Sequence, residues 1–362
     1  MIVRLTLSIL LLATPVLASA DALTRAERRI VAAVDARRDA ATDLLARVVD
    51  VPSATENHEG VRKVGEIFAA ELREIGFETK WVELPDEVDR AGHLVAERKG
   101  TKGKRVLLIG HLDTVLQGES WKRDGSRGYG SGAADMKGGD VIIVEALRAL
   151  HASGALAGRQ IIVVMTGDEE KPGSPHETTR EALVDAAKRS DVALAFEGYA
   201  PGAAVTGRRG IGDWRLEVTG SQGHSSTIFG EARGSGAIFE ASRILAAFHD
   251  ELREPYLTYN PGLFLGGTDV SAPEGSSGGT ATGKHNVVAR RAIVEGDLRF
   301  LTAEQFARAQ EKMRAIVAKS LPQTSATIEF DLNMPSMAPT EGNRALLAVL
   351  DGVSRDLGTG PM

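Results

Sequence analysis

Apolar positions recur at spacings of three and four from Ala22 to Val51, through Leu23, Ile30, Val31, Val34, Leu44, Leu45 and Val48, which predicts one opening helix or two. A second stripe, Val64, Ile67, Phe68, Leu72 and Ile75, predicts a helix over 60–75, closed by Gly76 in the left-handed position that glycine favours. The pattern then changes. Val106 to Ile109, Ile161 to Met165 and Val192 to Phe196 are short apolar runs without polar alternation, as expected of strands covered on both faces in a parallel sheet. Helical stretches over 141–150 and 180–188 separate them, giving βαβ order. Beyond Val205 the runs 214–218 and 292–300 alternate apolar with polar, a further strand is predicted over 326–332, and helices over 236–248 and 302–321. Two helices on one face of an antiparallel sheet account for this part most economically, with the Gly/Ser-rich stretch 275–283 as a mobile loop. The expected class is α/β, a mostly parallel sheet flanked by helices plus an inserted α+β domain.

Composition sharpens the picture only in places. A chain of 362 residues, 43% hydrophobic, can bury two cores, and its length argues for two domains. With 43 basic against 49 acidic side chains, the net charge of −6 gives no electrostatic basis for a nucleic-acid partner; a small polar substrate fits better. Arg4, the apolar run Leu5 to Leu12 and then Ala18-Ser19-Ala20 predict a signal peptide over 1–20, and hence a periplasmic or secreted protein with no membrane association once the leader is cut. There is no cysteine, so neither disulfides nor thiolate ligands operate, and any metal must sit on carboxylates and the eight histidines.

The chemistry gathers where the buried strands end. The first runs into Gly110-His111-Leu112-Asp113, the second into Gly167-Asp168-Glu169-Glu170, the third into Glu197. In an open α/β sheet ligands bind beyond the carboxyl ends of the strands, so these groups are expected to converge on one crevice. Carboxylates brought together without cations repel, and a divalent metal is the natural compensation. His111 and Asp113, two apart in extended chain, point the same way, which lets Asp113 hold the imidazole through its second nitrogen. Of the adjacent Glu169 and Glu170, one can ligate a metal while the other takes a proton from bound water. Singly, each feature has an ordinary explanation: a strand-end loop with a satisfied histidine, a helix-capping aspartate at Asp135, a solvated acidic loop. Jointly they point to a metal site.

These same motifs, His111-Leu112-Asp113-Thr114-Val115, Gly132-Ala133-Ala134-Asp135-Met136-Lys137-Gly138-Gly139, Asp168-Glu169-Glu170 and Phe196-Glu197, resemble those of the dinuclear zinc exopeptidases of the carboxypeptidase G type, with aminoacylases, acetylornithine deacetylase and succinyl-diaminopimelate desuccinylase nearby. The resemblance runs from about residue 40 to about residue 339. It implies two zinc ions bridged by Asp135, with His111 and Glu197 on one, Glu170 on the other, Glu169 as general base and Asp113 behind His111. It implies a zinc-peptidase domain over 21–205 and 326–362 and a lid and dimerisation domain over 206–325, making the protein a homodimer. In that domain His224 matches a histidine that supports the oxyanion in the neighbouring subunit's site, Asn286 a substrate-contacting asparagine, and Arg299 the arginine that grips the substrate carboxylate; Ala289 stands where proline is usual. The second zinc of the family also takes a histidine from a C-terminal segment. Here the sequence stops at Gly358-Thr359-Gly360-Pro361-Met362, and His58, His93, His151, His176, His249 and His285 lie elsewhere, so the resemblance implies a catalytic domain missing its last part and a second site short of one ligand. The expected reaction is hydrolysis of a peptide or N-acyl amide bond beside a free carboxylate, releasing C-terminal glutamate. The alternatives are an aminoacylase or dipeptidase of the same fold, or a catalytically silent, truncated metal-binding and dimerisation module.

Overall fold

A computed structural model describes residues 23–116, 118–198, 202–273 and 278–362, in two compact units. The leader expected at 1–20 and residues 275–277 of the expected mobile loop lie outside the described residues. Among the described residues no helix is long and apolar enough to cross a membrane.

The first unit opens on α1 (Arg25–Asp35), started by a reciprocal cap in which Thr24 Oγ1 accepts from Glu27 N and the Glu27 carboxylate accepts from Thr24 N. The predicted opening helix is indeed two, because the chain leaves helical geometry at Arg37, whose guanidinium binds the buried carboxylate of Glu145. Next come α2 (Arg38–Val49) and α3 (His58–Glu74), and Gly76 adopts φ 83° just past the end of α3, as the stripe predicted. The remaining elements are β1 (Glu78–Val82), β2 (His93–Arg98), β3 (Lys102–His111), the small hairpin β4 (Lys122–Asp124) and β5 (Arg127–Tyr129), α4 (Gly138–Ala152), β6 (Arg159–Thr166), α5 (His176–Lys188) and β7 (Val192–Ala195). The main sheet has the order β1-β2-β6-β3-β7, with β6, β3 and β7 parallel and β1 and β2 antiparallel. Phe68, Leu72, Leu94, Ile143, Leu147, Val163 and Met165 form the core between this sheet and helices α3 and α4.

One expectation fails here. The run from Val192 to Phe196 was expected to be covered on both faces, but among the described residues β7 (Val192–Ala195) pairs only with β3, and Leu194 is 41% exposed. Apolar composition without alternation marks a strand of a parallel sheet; it does not by itself distinguish an edge from the centre.

The second unit holds β8 (Gly210–Gly220), α6 (Ala237–Glu251), β9 (Thr258–Gly267), β10 (Asp269–Ser271), β11 (Thr280–Thr282), β12 (Arg291–Phe300), α7 (Ala303–Val317), β13 (Thr324–Met334) and most of α8 (Glu341–Asp356). Its sheet, β13-β8-β12-β9, is antiparallel throughout. Trp214, Leu216, Val218, Val294 and Leu298 bury their face against Ile244 and Phe248 of α6 and Met313 and Ile316 of α7, the two-helix layer that the alternating strands predicted. One detail differs. Residues 280–282, expected within a loop, pair as a strand with 269–271.

Candidate metal centre

His111 is the last residue of β3, 1% exposed, and lies opposite Thr166 at the end of β6. Its Nδ1 is 3.0 Å from the backbone carbonyl of Asp113 and 3.4 Å from that residue's Oδ1. The ring is therefore held from behind by Asp113, through the main chain first and the carboxylate second. Nε2 faces forward, 3.2 Å from Asp135 Oδ1, 3.4 Å from Glu197 Oε1 and 4.0 Å from Glu169 Oε2.

Each carboxylate arrives by a separate route. Asp135 has extended backbone angles (φ −125°, ψ 99°) in the loop before α4, whose first turn carries no side-chain cap, so Asp135 is not a capping residue. Glu169 and Glu170 follow β6, and their amides donate to Asp113 Oδ1 (3.0 Å) and Oδ2 (3.1 Å). Glu197 follows β7. His111, Asp135 and Glu170 form one set whose ligand atoms all lie within 4.8 Å of one another, and His111, Glu169 and Glu197 form another.

The donor chemistry fits divalent cations. Bonds of about 2.0–2.1 Å at tetrahedral angles put neighbouring ligand atoms about 3.3 Å apart, and the spacings from Nε2 to Asp135 and Glu197 match. Four carboxylates around one imidazole leave a negative excess, and Glu170 Oε1 is buried without a hydrogen-bond partner among the described residues. Burial, then Asp135 and Glu169, push the Glu170 carboxyl above its usual range, the strain that a cation relieves. The side chains also grade outward from buried His111 to Glu197, 30% exposed, Glu169, 46%, and Asp135, 64%, so the cluster opens toward solvent.

Behind it the second layer is tightly paired. Burial would raise the fully buried Asp113 carboxyl, but His111 and Thr55, whose Oγ1 donates to Oδ2 at 2.8 Å, with the Glu169 amide, hold it below the usual range. Burial would lower the His111 imidazole, but Asp113 above all, with Glu197 and Asp140, pushes it up to about 10. A metal takes only the neutral ring, so binding near neutral pH must expel that proton. Calorimetric titration with zinc in buffers of different ionisation enthalpy is expected to show about one proton released from this residue at about pH 7; no release would contradict a protonated His111 in the metal-free protein. In the metal-free chain the raised pKa contributes stability in full below about pH 6.5 and loses it as pH climbs toward 10.

Sequence reasoning gave no role to two buried neighbours. Lys137 Nζ donates to the Val51 carbonyl at 2.9 Å, and burial pushes its ammonium down to about 8. Asp140 is fully buried, with neither carboxyl oxygen hydrogen-bonded among the described residues, against Gly110, where a Cβ would overlap Oδ1. The DxKGGD spacing places both on the loop and first turn after Asp135, yet nothing in their residue type reveals burial.

The three remaining candidates belong to the second unit. His224 is exposed, its Nδ1 accepting from Ser226 N at 3.2 Å, and Ser225 N donates to Asn286 O at 2.9 Å, so His224 and Asn286 are neighbours. Ala289 accepts from Ala237 N at 3.0 Å. Arg299 sits near the far end of β12, on the face away from α6 and α7, half-exposed, its Nε donating to Asp297 Oδ2 at 3.1 Å. Eight residues of strand separate it from Arg291, on the order of 25 Å, so one chain does not bring Arg299 together with His224 and Asn286.

Comparison with known proteins divides the chain similarly. Residues 206–325 match the family model described as a peptidase dimerisation domain, and residues 93–203 match that of peptidase family M28. Carboxypeptidase G2 from Pseudomonas sp. (strain RS-16) is 26% identical over 312 residues, covering 84% of this chain and 70% of its own length. Succinyl-diaminopimelate desuccinylase from Methylocella silvestris is 31% identical over 225 residues, 58% of this chain and 56% of that protein. The crystal structure of aminopeptidase PepT from Bacillus cereus ATCC 10987 superposes with a TM-score of 0.67 at 18% identity, covering 89% of this chain and 83% of that one, which establishes the shared fold. Together with the strand-end cluster, these likenesses place the chain beside metal-dependent peptidases and amidohydrolases: it is similar to carboxypeptidase G2 and to succinyl-diaminopimelate desuccinylase, and it shares its fold with aminopeptidase PepT.

Proposed function

We propose that the protein hydrolyses a peptide or N-acyl amide bond beside a free carboxylate, releasing C-terminal glutamate, with two zinc ions and Glu169 as general base. The observation that carries this is the convergence of His111, Asp135, Glu169, Glu170 and Glu197 at the ends of β3, β6 and β7 and on the loop before α4. Bound zinc would acidify a water and polarise the scissile carbonyl. The residues do the rest. Asp135, His111, Glu197 and Glu170 hold the ions. Glu169, the farthest of these from His111 Nε2 in the distances above and open to solvent, takes the proton from water and returns it to the leaving amine.

Arg299 would grip the substrate carboxylate; its terminal Nη pair makes no hydrogen bond among the described residues. Because Arg299 and the His224–Asn286 pair stand at opposite ends of β12, a small substrate could meet both only if a second copy supplied one of them, which supports a homodimer through 206–325. The reading also carries export, from residues 1–20.

The likeness to carboxypeptidase G2 favours glutamate; that to the desuccinylase favours a second reading, an N-succinyl amide whose carboxylate lies on the acyl side. Comparing kcat/KM of the zinc-loaded protein on N-benzoyl-L-glutamate and N-succinyl-L,L-diaminopimelate separates them. The glutamate reading expects the former to be preferred, with Arg299→Met raising its KM by about tenfold or more. Preference for the succinyl compound overturns it in favour of the second reading, and zinc binding without turnover of either leaves the silent-module alternative.

A further inference from the structure

The turn from Gly167 to Glu170 is gripped at every residue, and partly by groups outside the metal set. Gly167 N donates to His93 Nδ1 at 3.2 Å. Since that nitrogen accepts, the ring proton is on Nε2, which donates to the Thr179 carbonyl at 2.7 Å. His93 is 1% exposed, and burial pushes its imidazole below the usual range, consistent with a neutral ring. Gly167 has no alternative occupant, because a Cβ there would overlap the Gly92 carbonyl oxygen.

The next residue is held twice. The fully buried Asp168 carboxylate accepts from Gly173 N at 3.0 Å and from Arg180 Nη1 at 2.6 Å, while Arg180 Nη2 donates to the Asp168 carbonyl at 3.1 Å. The peptide plane joining Asp168 to Glu169 is thus fixed at both edges, its oxygen by Arg180 and its N–H by Asp113 Oδ1. That plane sets the direction in which Glu169 leaves the main chain, and the following amide, also on Asp113, sets Glu170.

We infer that Arg180, acting with Asp168 and His93, is a positioning residue that clamps the Asp168–Glu169 peptide and so aims both glutamates at the metal site. The inference rests on the roles given above to Glu169 and Glu170. A guanidinium suits the task because its rigid planar fork presents two fixed donors to the carboxylate and the carbonyl of one residue, whereas a lysine ammonium is a single point charge without that geometry. The clamp is built from β2 and α5, rigid elements that carry none of the metal-site residues.

The test uses the full chain. Cobalt(II) titration followed by visible absorbance reads the Glu170 environment without any substrate, and kcat and KM on N-benzoyl-L-glutamate read Glu169. Arg180→Met is expected to weaken cobalt binding and to lower kcat, each by about 10–100-fold, with KM within about threefold and an altered cobalt spectrum. Arg180→Lys should restore less than half of either loss. His93→Gln, whose amide can accept from Gly167 N and donate to the Thr179 carbonyl, should stay near the parent, whereas His93→Leu should share the defect. A folded Arg180→Met protein with parental cobalt affinity, spectrum and kcat overturns the inference. Should Arg180→Met fail to fold, equal cobalt affinity and spectra in His93→Leu and His93→Gln overturn it instead. Failure of the general-base reading is seen separately, as turnover surviving in Glu169→Gln, and leaves the cobalt result to decide the clamp.

Discussion

Glu169→Gln is expected to lower kcat by about 10²–10⁴-fold while zinc content and the folded structure are retained. Glutamine keeps the volume and the backbone donation to Asp113 Oδ1, so the loop that carries Glu170 is undisturbed. What it loses is the ability to accept a proton from water and pass it to the leaving amine. Because the Glu169 side chain is 46% exposed and its nearest oxygen is 4.0 Å from His111 Nε2, its removal leaves Asp135 and Glu197 as the closer partners of the imidazole. Metal analysis beside steady-state kinetics checks both halves. Full turnover in this variant would remove Glu169 from the chemistry, and loss of zinc together with activity would make it a ligand instead.

His111→Ala should have the broader effect. His111 belongs to both ligand sets, so its loss is expected to weaken zinc binding by more than the roughly 10–100-fold that a supporting residue typically costs. It also strips a partner from the fully buried Asp113 carboxylate. Breaking a buried pair from one side costs about 3–5 kcal/mol; with Thr55 and two amides still donating, the lower end applies, about 3 kcal/mol. Zinc titration and urea denaturation of the metal-free protein measure the two losses independently. An unchanged stability would mean that Asp113 is satisfied without the ring.

Much of this was legible because the signals were local. The parallel strands announce themselves as uninterrupted apolar runs, and the ionisable residues that follow them in sequence are the ones that meet in space, since parallel strands carry their carboxyl ends to one edge. The stripes over 60–75 and 302–321 gave their helices for the same reason: one buried face repeats at the helical period.

What stayed hidden depended on distant partners. β9 contains Pro261 and three glycines, which argue against a strand, yet it forms at the sheet edge beside an irregularity at Glu295/Gly296, where proline is tolerated. β1 mixes Glu78, Thr79 and Lys80 with Trp81 and Val82 and takes its identity from pairing with β2. His93 and Arg180 are 87 residues apart, and no spacing rule links them to the Asp168 turn. The burial of Lys137 and Asp140 is equally a property of the packed loop, which residue type opposes.

The claim beneath all of these is that acidic groups and one imidazole from separate strand ends enclose divalent cations. Anomalous diffraction at the zinc absorption edge from crystals equilibrated with zinc tests it most directly. The expected map has its strongest peaks within bonding distance of His111 Nε2 and Asp135, with Glu197 and Glu170 completing the surroundings. Zinc bound elsewhere, with no anomalous density beside His111, would contradict the account.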